Sequence, residues 1–237
     1  LGNIFQQFYN IAGSIVAGQF IGVSALAAIG STGSLMFFVT GWLNGLSSGF
    51  AILVSQWFGA RQYDRMRHYV AMSVYLAAGC AILMTAGLLA ANEPILRMMN
   101  FSDEIMPDVR AYMGIIYAGL IVTAAYNSLA AFLRALGDSR SPLYFLIISA
   151  AINVVLDIAF IVIFGMGVEG CAYATVIAQA ISAFLCFVYI LKKFPILHLK
   201  REDFRISFHS FGRLLALGIP MGLQFSITAI GTIIVQG

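Results

Sequence analysis

Charge is the scarcest commodity in this chain. Only 10% of its 237 residues are Asp, Glu, Lys or Arg, and from Leu1 to Ala60 there is not one. With 61% apolar residues and a mean hydropathy of +0.92, the chain cannot cover a water-soluble surface, so the composition implies a polytopic membrane protein. Cysteine is scarce as well. Cys80, Cys171 and Cys186 all sit in apolar stretches without CxxC or histidine spacing, which reads as reduced packing residues and argues against a metal site. No HExxH motif occurs, no paired acids occupy an apolar stretch, and no serine is followed by a plausible base, so an enzyme is not expected. His68, His198 and His209 fall among the charged connecting segments and read as solvated loop histidines. No basic leader or cleavage site precedes the first apolar run, and the chain is expected to be a piece of a longer protein.

The apolar stretches divide into seven expected membrane helices, at about 4–22, 35–58, 70–91, 111–133, 142–164, 170–191 and 214–236. The first sixty residues must fold back, because as one helix they would be about 90 Å long. Gly22 and the cluster Gly30 to Ser34 are the natural breaks, with the SALAAI segment between them lying at the interface. Numbering sides alternately puts eleven of the thirteen basic residues on one side: Arg61, Arg65 and Arg67, Arg134 and Arg140, and Lys192 onward to Arg213. Only Arg97 and Arg110 fall on the other. That asymmetry predicts a cytoplasmic amino terminus, a multi-pass chain in the plasma or bacterial inner membrane, and no role for the net charge of +3 in nucleic-acid binding.

One acid lies deep inside a span. Asp157 sits within PLYFLIISAAINVVLDIAFIVIF at 142–164, where insertion scales put the cost of a carboxylate at about 2.5–3.5 kcal/mol. It therefore needs a cavity, a proton or a cation. Asn153 precedes it by four residues and shares its helix face. A helix–helix hydrogen bond that serves only packing is the plainer alternative. The turn GMGVEG makes the fifth and sixth helices antiparallel neighbours, so Thr175 is expected beside Asp157, with Asn10 and Gly13 of the first helix at a similar depth. Carboxylate, amide and hydroxyl oxygens suit Na⁺ or a proton relay. Gln7, Asn10, Gly13, Asn44, Asn127, Gln179 and Gln224 complete the candidate lining of a polar cavity, whereas the third helix, almost without polar side chains, is expected to face lipid. Small residues at steps of four, Gly41, Gly45 and Gly49 in one helix and Gly170, Ala174, Ala178 and Ser182 in another, predict close helix contacts.

Five stretches taken in order, GNIFQQFYNIAGSIVAGQFIG with SALAAIGSTGS, SQWFGAR, LRALGDSRSP, INVVLDIAFIVIFGMGVEGCAYAT and LGIPMGLQFSITAIGTIIVQ, resemble the multidrug and toxic compound extrusion (MATE) transporters over essentially the whole chain. The resemblance implies an all-α membrane protein of two six-helix lobes. Residues 1–200 would form the amino-terminal lobe, and 201–237 a cytoplasmic linker and the first helix of a second lobe. A faint echo at an offset of 217, in which Gln7, Phe8, Ala12 and Gln19 match Gln224, Phe225, Ala229 and Gln236, fits such a duplication. The resemblance further implies an H⁺- or Na⁺-coupled antiporter that exports amphiphilic organic cations by alternating access. No other cofactor is implied, and the coupling site falls on Asn153, Asp157 and Thr175. Many members of that family carry an acid where this chain has Gly13; with one carboxylate instead of two, proton coupling is the favoured expectation. The alternative is a lipid-linked oligosaccharide flippase of the same superfamily, which would be expected to line its cavity with basic residues.

Overall fold

The computed structural model describes residue 15, residues 18–99 and residues 101–236. Its described residues form helices joined by short turns and loops, without strands. The helices are α1 (Val23–Ser31), α2 (Gly33–Gly59), α3 (Tyr63–Ala90), α4 (Asn92–Met98), α5 (Met106–Ala118), α6 (Leu120–Ala135), α7 (Arg140–Ile158), α8 (Val168–Lys193) and α9 (Phe208–Gln236). A π-helical segment, Ala159–Ile163, continues α7, and two 3₁₀ turns, Pro195–Leu197 and Arg201–Phe204, lie between α8 and α9.

Among the described residues, four helical stretches are long and apolar enough to cross a membrane: Ser24–Gly59, Tyr63–Ala90, Arg140–Ile163 and Val168–Lys193. The α5–α6 pair makes a fifth if it is counted as one span. The first expected helix lies largely outside the described residues, and the seventh falls within α9. Gly22 does break the chain, with φ +131°, but the SALAAI segment after it is helix α1. The fourth expected span is interrupted at Gly119. A Cβ there would lie 2.5 Å from Cγ2 of Val176, so glycine is required where the two helices touch. The third helix is among the least buried spans, as expected of a lipid-facing helix: its apolar stretch is 22% buried, against 33% for Val168–Lys193 and 56% for Ser24–Gly59, and it shares that value with the stretch carrying Asp157.

The chain sorts into two compact units. The first comprises the described part of Leu1–Gly33 with Leu83–Val122 and Leu143–Ser182. Within it Thr85 Oγ1 donates to the Tyr117 carbonyl (2.9 Å), joining α3 to α5. Asn92 Nδ2 donates to the Arg110 carbonyl (3.2 Å), joining α4 to α5. At the exposed end Glu93 pairs with Arg97 (2.6 Å) and Arg110 (3.3 Å), and the Arg97 hydrogen bond holds its carboxyl below the usual range.

The second unit comprises Ser34–Ile82, Thr123–Pro142 and Ala183–Gly237. Its central contact is between α2 and α9. A Cβ on Gly45 would lie 2.6 Å from Cα of Gly222, and one on Gly49 2.6 Å from Cα of Gly218, so backbone meets backbone. The glycine ladder of α2 is thus a packing face, as its spacing predicts. Ser47 and Ser128 hydrogen bond across α2 and α6 at 3.3 Å. The loop before α7 is locked by Asp138, whose carboxylate accepts from the Ser141 amide (3.0 Å), the Ser141 hydroxyl (2.7 Å) and the Tyr189 hydroxyl (3.0 Å). Partial burial raises its pKa, but these hydrogen bonds outweigh that and leave it lowered.

His68 departs from the expectation of a solvated loop histidine. It lies in α3 with Nδ1 at 3.2 Å from the Asp203 carbonyl and Nε2 at 2.9 Å from Ser210 Oγ. Beside it Arg67 is buried between Asp64 and Asp203, its Nε 3.3 Å from the Asp203 carboxylate, which also accepts from the Lys200 amide at 2.7 Å. The segment entering α9 is tied to α3 by this network, which the spacing of the histidines in sequence does not reveal.

Candidate functional site: a buried carboxylate between α7 and α8

Every fourth position of α7 falls on one stripe, so Phe145, Ser149, Asn153 and Asp157 share a face, and within the first unit that face meets α8. Each step is stitched. Ser182 Oγ donates to the Phe145 carbonyl at 3.0 Å, and Ser149 Oγ donates to the Ala178 carbonyl at 2.7 Å. The small ladder of α8 makes the approach possible: Ala174 and Ala178 are fully buried, and a Cβ on Gly170 would lie 3.1 Å from Cβ of Phe160, in the segment that continues α7.

One turn further along α7 the pattern changes from backbone carbonyls to charge. With the Asn153 amide turned to satisfy both neighbours, its nitrogen donates to Asp157 Oδ2 at 3.2 Å and its oxygen accepts from the Thr175 amide at 3.2 Å. Asn153 and Asp157 are each 1% exposed. Asp157 Oδ1 is buried and has no hydrogen-bond partner among the described residues. Immediately after Asp157 the helix widens into the π-helical segment, where the Phe164 amide donates to the Ala159 carbonyl at 3.1 Å. Such widenings occur frequently at functional sites.

Asn153, Asp157 and Thr175, expected together, do come together, with Thr175 reaching the amide through its backbone nitrogen. Gln179 lies one turn beyond Thr175 on α8 in the same unit, half-buried. Asn44, Asn127 and Gln224 belong to the second unit: Asn127 is buried, Asn44 accepts from Ser48 at 3.4 Å, and Gln224 is exposed. Gln7, Asn10 and Gly13 lie outside the described residues. Two further neighbours join the site that the sequence pattern does not mark. The buried Tyr112 of α5 and the thiol of Cys171 in α8 are close enough to interact electrostatically with Asp157. Nothing in the spacing of Tyr112 singles it out, since α5 approaches only through the tertiary fold.

Chemically the site offers one carboxylate, one of whose oxygens has no hydrogen-bond partner among the described residues, in apolar surroundings. That oxygen suits a proton or a hard monovalent cation, and one bound Na⁺ would leave the site formally neutral. No group of three or more His, Cys, Asp or Glu side chains suited to a metal occurs among the described residues.

The MatE family model matches residues 1–159. The chain belongs to the MatE family. Its similarity to curated relatives extends further along the chain. The probable multidrug resistance protein YpnP of Bacillus subtilis is 30% identical over 96% of this chain and 51% of its own length. YoeA of the same organism, also a probable multidrug resistance protein, is 28% identical over 99% of this chain and 52% of its own. Among solved structures, a MATE-family multidrug resistance transporter of the MOP superfamily in an outward-facing conformation superposes with a TM-score of 0.88 at 25% identity, over 98% of this chain and 51% of that one. An inward-facing structure of such a transporter gives the same TM-score at 24% identity and shares the fold. This MatE chain spans about half the length of the curated relatives it matches. It is a multi-pass membrane protein of a transporter family.

Proposed function

We propose that the full-length protein exports amphiphilic organic cations in exchange for H⁺ or Na⁺, with the coupling ion bound and released at Asp157. The observation that carries this reading is the buried Asp157 carboxylate, held by Asn153 through one oxygen and without a partner among the described residues on the other. A purely structural acid would have both oxygens satisfied. The names of the multidrug resistance relatives supply the substrate class, and the existence of inward- and outward-facing solved neighbours supports alternating access. Residues 1–200 are proposed as one lobe and 201–237 as the linker and first helix of the next, in the cytoplasmic or inner membrane with a cytoplasmic amino terminus.

Coupling requires that the ion bind the two states unequally. In the proposed cycle Asp157 takes a proton or cation in the state that releases drug and gives it up in the other; Asn153 orients the carboxylate, and Thr175 fixes Asn153 through its amide. With Gly13 in place of a second acid, a single proton is the favoured coupling ion. The flippase alternative gains no support, since no Lys or Arg stands on the polar face of α7 from Phe145 to Asp157 and the relatives YpnP and YoeA are named for multidrug resistance.

The test is dye efflux by the full-length protein across a range of pH and Na⁺ concentration, comparing wild type, Asp157→Asn and Gly13→Asp. Asp157→Asn is expected to abolish the ion dependence of efflux, and Gly13→Asp to strengthen it. Efflux in Asp157→Asn with an unaltered pH profile would sink the proposal.

A further inference from the structure

The second unit holds a feature that transport at Asp157 does not use. Trp57, at the end of α2, and Tyr69, in α3, stack with ring centroids 6.1 Å apart and planes 14° from parallel. A guanidinium caps each ring. Arg65 lies over Trp57 with Cζ 4.8 Å from the ring centroid, and Arg213 of α9 lies over Tyr69 at 5.8 Å, where its Nη1 also donates to the Tyr69 hydroxyl at 3.2 Å. Three helices are needed to build this row.

The two arginines differ from their neighbour Arg67. Arg67 is buried and its charge is met by Asp64 and Asp203. Arg65 and Arg213 are exposed, and neither forms an ion pair among the described residues. Their guanidiniums are nonetheless fixed by the rings beneath them, which lowers the entropy lost when an anion is bound. Asp64 and Asp203 pair with Arg67, not with the arginines of the row. Planar guanidiniums with free N–H groups recognise phosphate oxygens in a bidentate manner.

The surroundings select among phosphates. The segment that carries Arg213 into α9 also exposes Phe208 by 84% and Ile206 by 63%, and Tyr63 is exposed at the start of α3. Large apolar side chains left open next to fixed cations, at the ends of membrane-spanning helices, suit a ligand with an anionic head and an apolar tail. Arg61 and Arg205 add positive charge close by in sequence and disfavour a head group that carries its own ammonium.

We propose that Arg65 and Arg213, each fixed on its own ring of the Trp57–Tyr69 stack, bind phosphodiester head groups of anionic phospholipids, whose acyl chains lie against the exposed apolar side chains of the same end of the unit. The site rests on the membrane reading alone, so failure to transport drugs would leave it standing.

The experiment uses the full-length protein, stripped of lipid in detergent. Its thermal midpoint is measured with added phosphatidylglycerol, phosphatidylcholine or inorganic phosphate, and bound lipid is counted by native mass spectrometry. Phosphatidylglycerol is expected to raise the midpoint by several degrees and to remain bound, phosphatidylcholine to give less than a third of that shift, and phosphate to give none. The combined variant Arg65→Gln, Arg213→Gln is expected to lose the shift. Equal shifts from the two lipids, a phosphate shift as large as that of phosphatidylglycerol, or an undiminished shift in the double variant would each overturn the proposal. If the double variant does not fold, Arg65→Lys with Arg213→Lys keeps the charge but lacks the planar group. It is expected to retain less than half of the bound phosphatidylglycerol, and wild-type retention would overturn the proposal equally.

Discussion

Asp157 and Asp203 are both buried, 1% and 7% exposed, yet their surroundings have opposite logic. Asp203, in the 3₁₀ turn before α9, meets Arg67 and the Lys200 amide, and its own carbonyl faces His68. Its charge is matched in place. Asp157, in an apolar helix, has an amide on one oxygen and no hydrogen-bond partner among the described residues on the other. Burying a charge without a partner is costly, and a protein that retains such a group has a use for it that stability does not supply. One acid is met by its cation, and the other is the one proposed to take a ligand.

Asp157→Asn gives the largest contrast. The neutral isostere removes the charge but keeps the hydrogen-bonding shape, so the thermal midpoint is expected to hold or rise while ion-coupled efflux falls more than tenfold. A falling midpoint with intact efflux would reverse the roles assigned to the two acids. Arg67→Ala should do the opposite, leaving Asp203 buried without its cation and destabilising the fold by about 3–5 kcal/mol. Denaturation in detergent checks this, and ion dependence measured on the surviving protein should match wild type.

Ser149→Ala tests whether the rest of the α7 stripe is packing. Loss of the bond to the Ala178 carbonyl is expected to cost about 0.6 kcal/mol, the average for such bonds within membranes, with no change in coupling. A change in ion dependence would extend the functional site down the stripe.

The smallest effect belongs to a third acid, Asp138. Its carboxyl is held below the ordinary value, so its contribution to stability is present above about pH 4, the unfolded value, and is lost as pH falls through the lower folded value. Comparing the midpoints of wild type and Asp138→Asn between neutral pH and pH 3 should show the gap closing only at the acid end. A gap that persists there would mean that geometry, not charge, holds the loop.

Much of the site and its helices is legible in the order of residues alone. Asp157 declares itself because a single acid in a largely apolar stretch of 23 residues is expensive, and Asn153 follows from the helical period. The glycine steps in α2 predict close packing, though not the partner, Gly218 and Gly222 of α9. Tyr112 is invisible for the same reason: a residue 45 positions from Asp157 becomes its neighbour only when α5 packs beside it. His68 escapes because a segment rich in charge looks solvated, whereas the turn at 201–204 folds over it.

The amino-acid sequence by itself determined the environment, the helices, the family and the one acid that lipid-length burial makes costly, because composition and short-range periodicity act within a helix. Only the tertiary structure decided which oxygen of that acid is satisfied, which glycines meet which, and that two arginines stand over aromatic rings and outside the ion pairs of the described residues. Those depend on contacts between helices distant in the chain, where position along the sequence carries no distance.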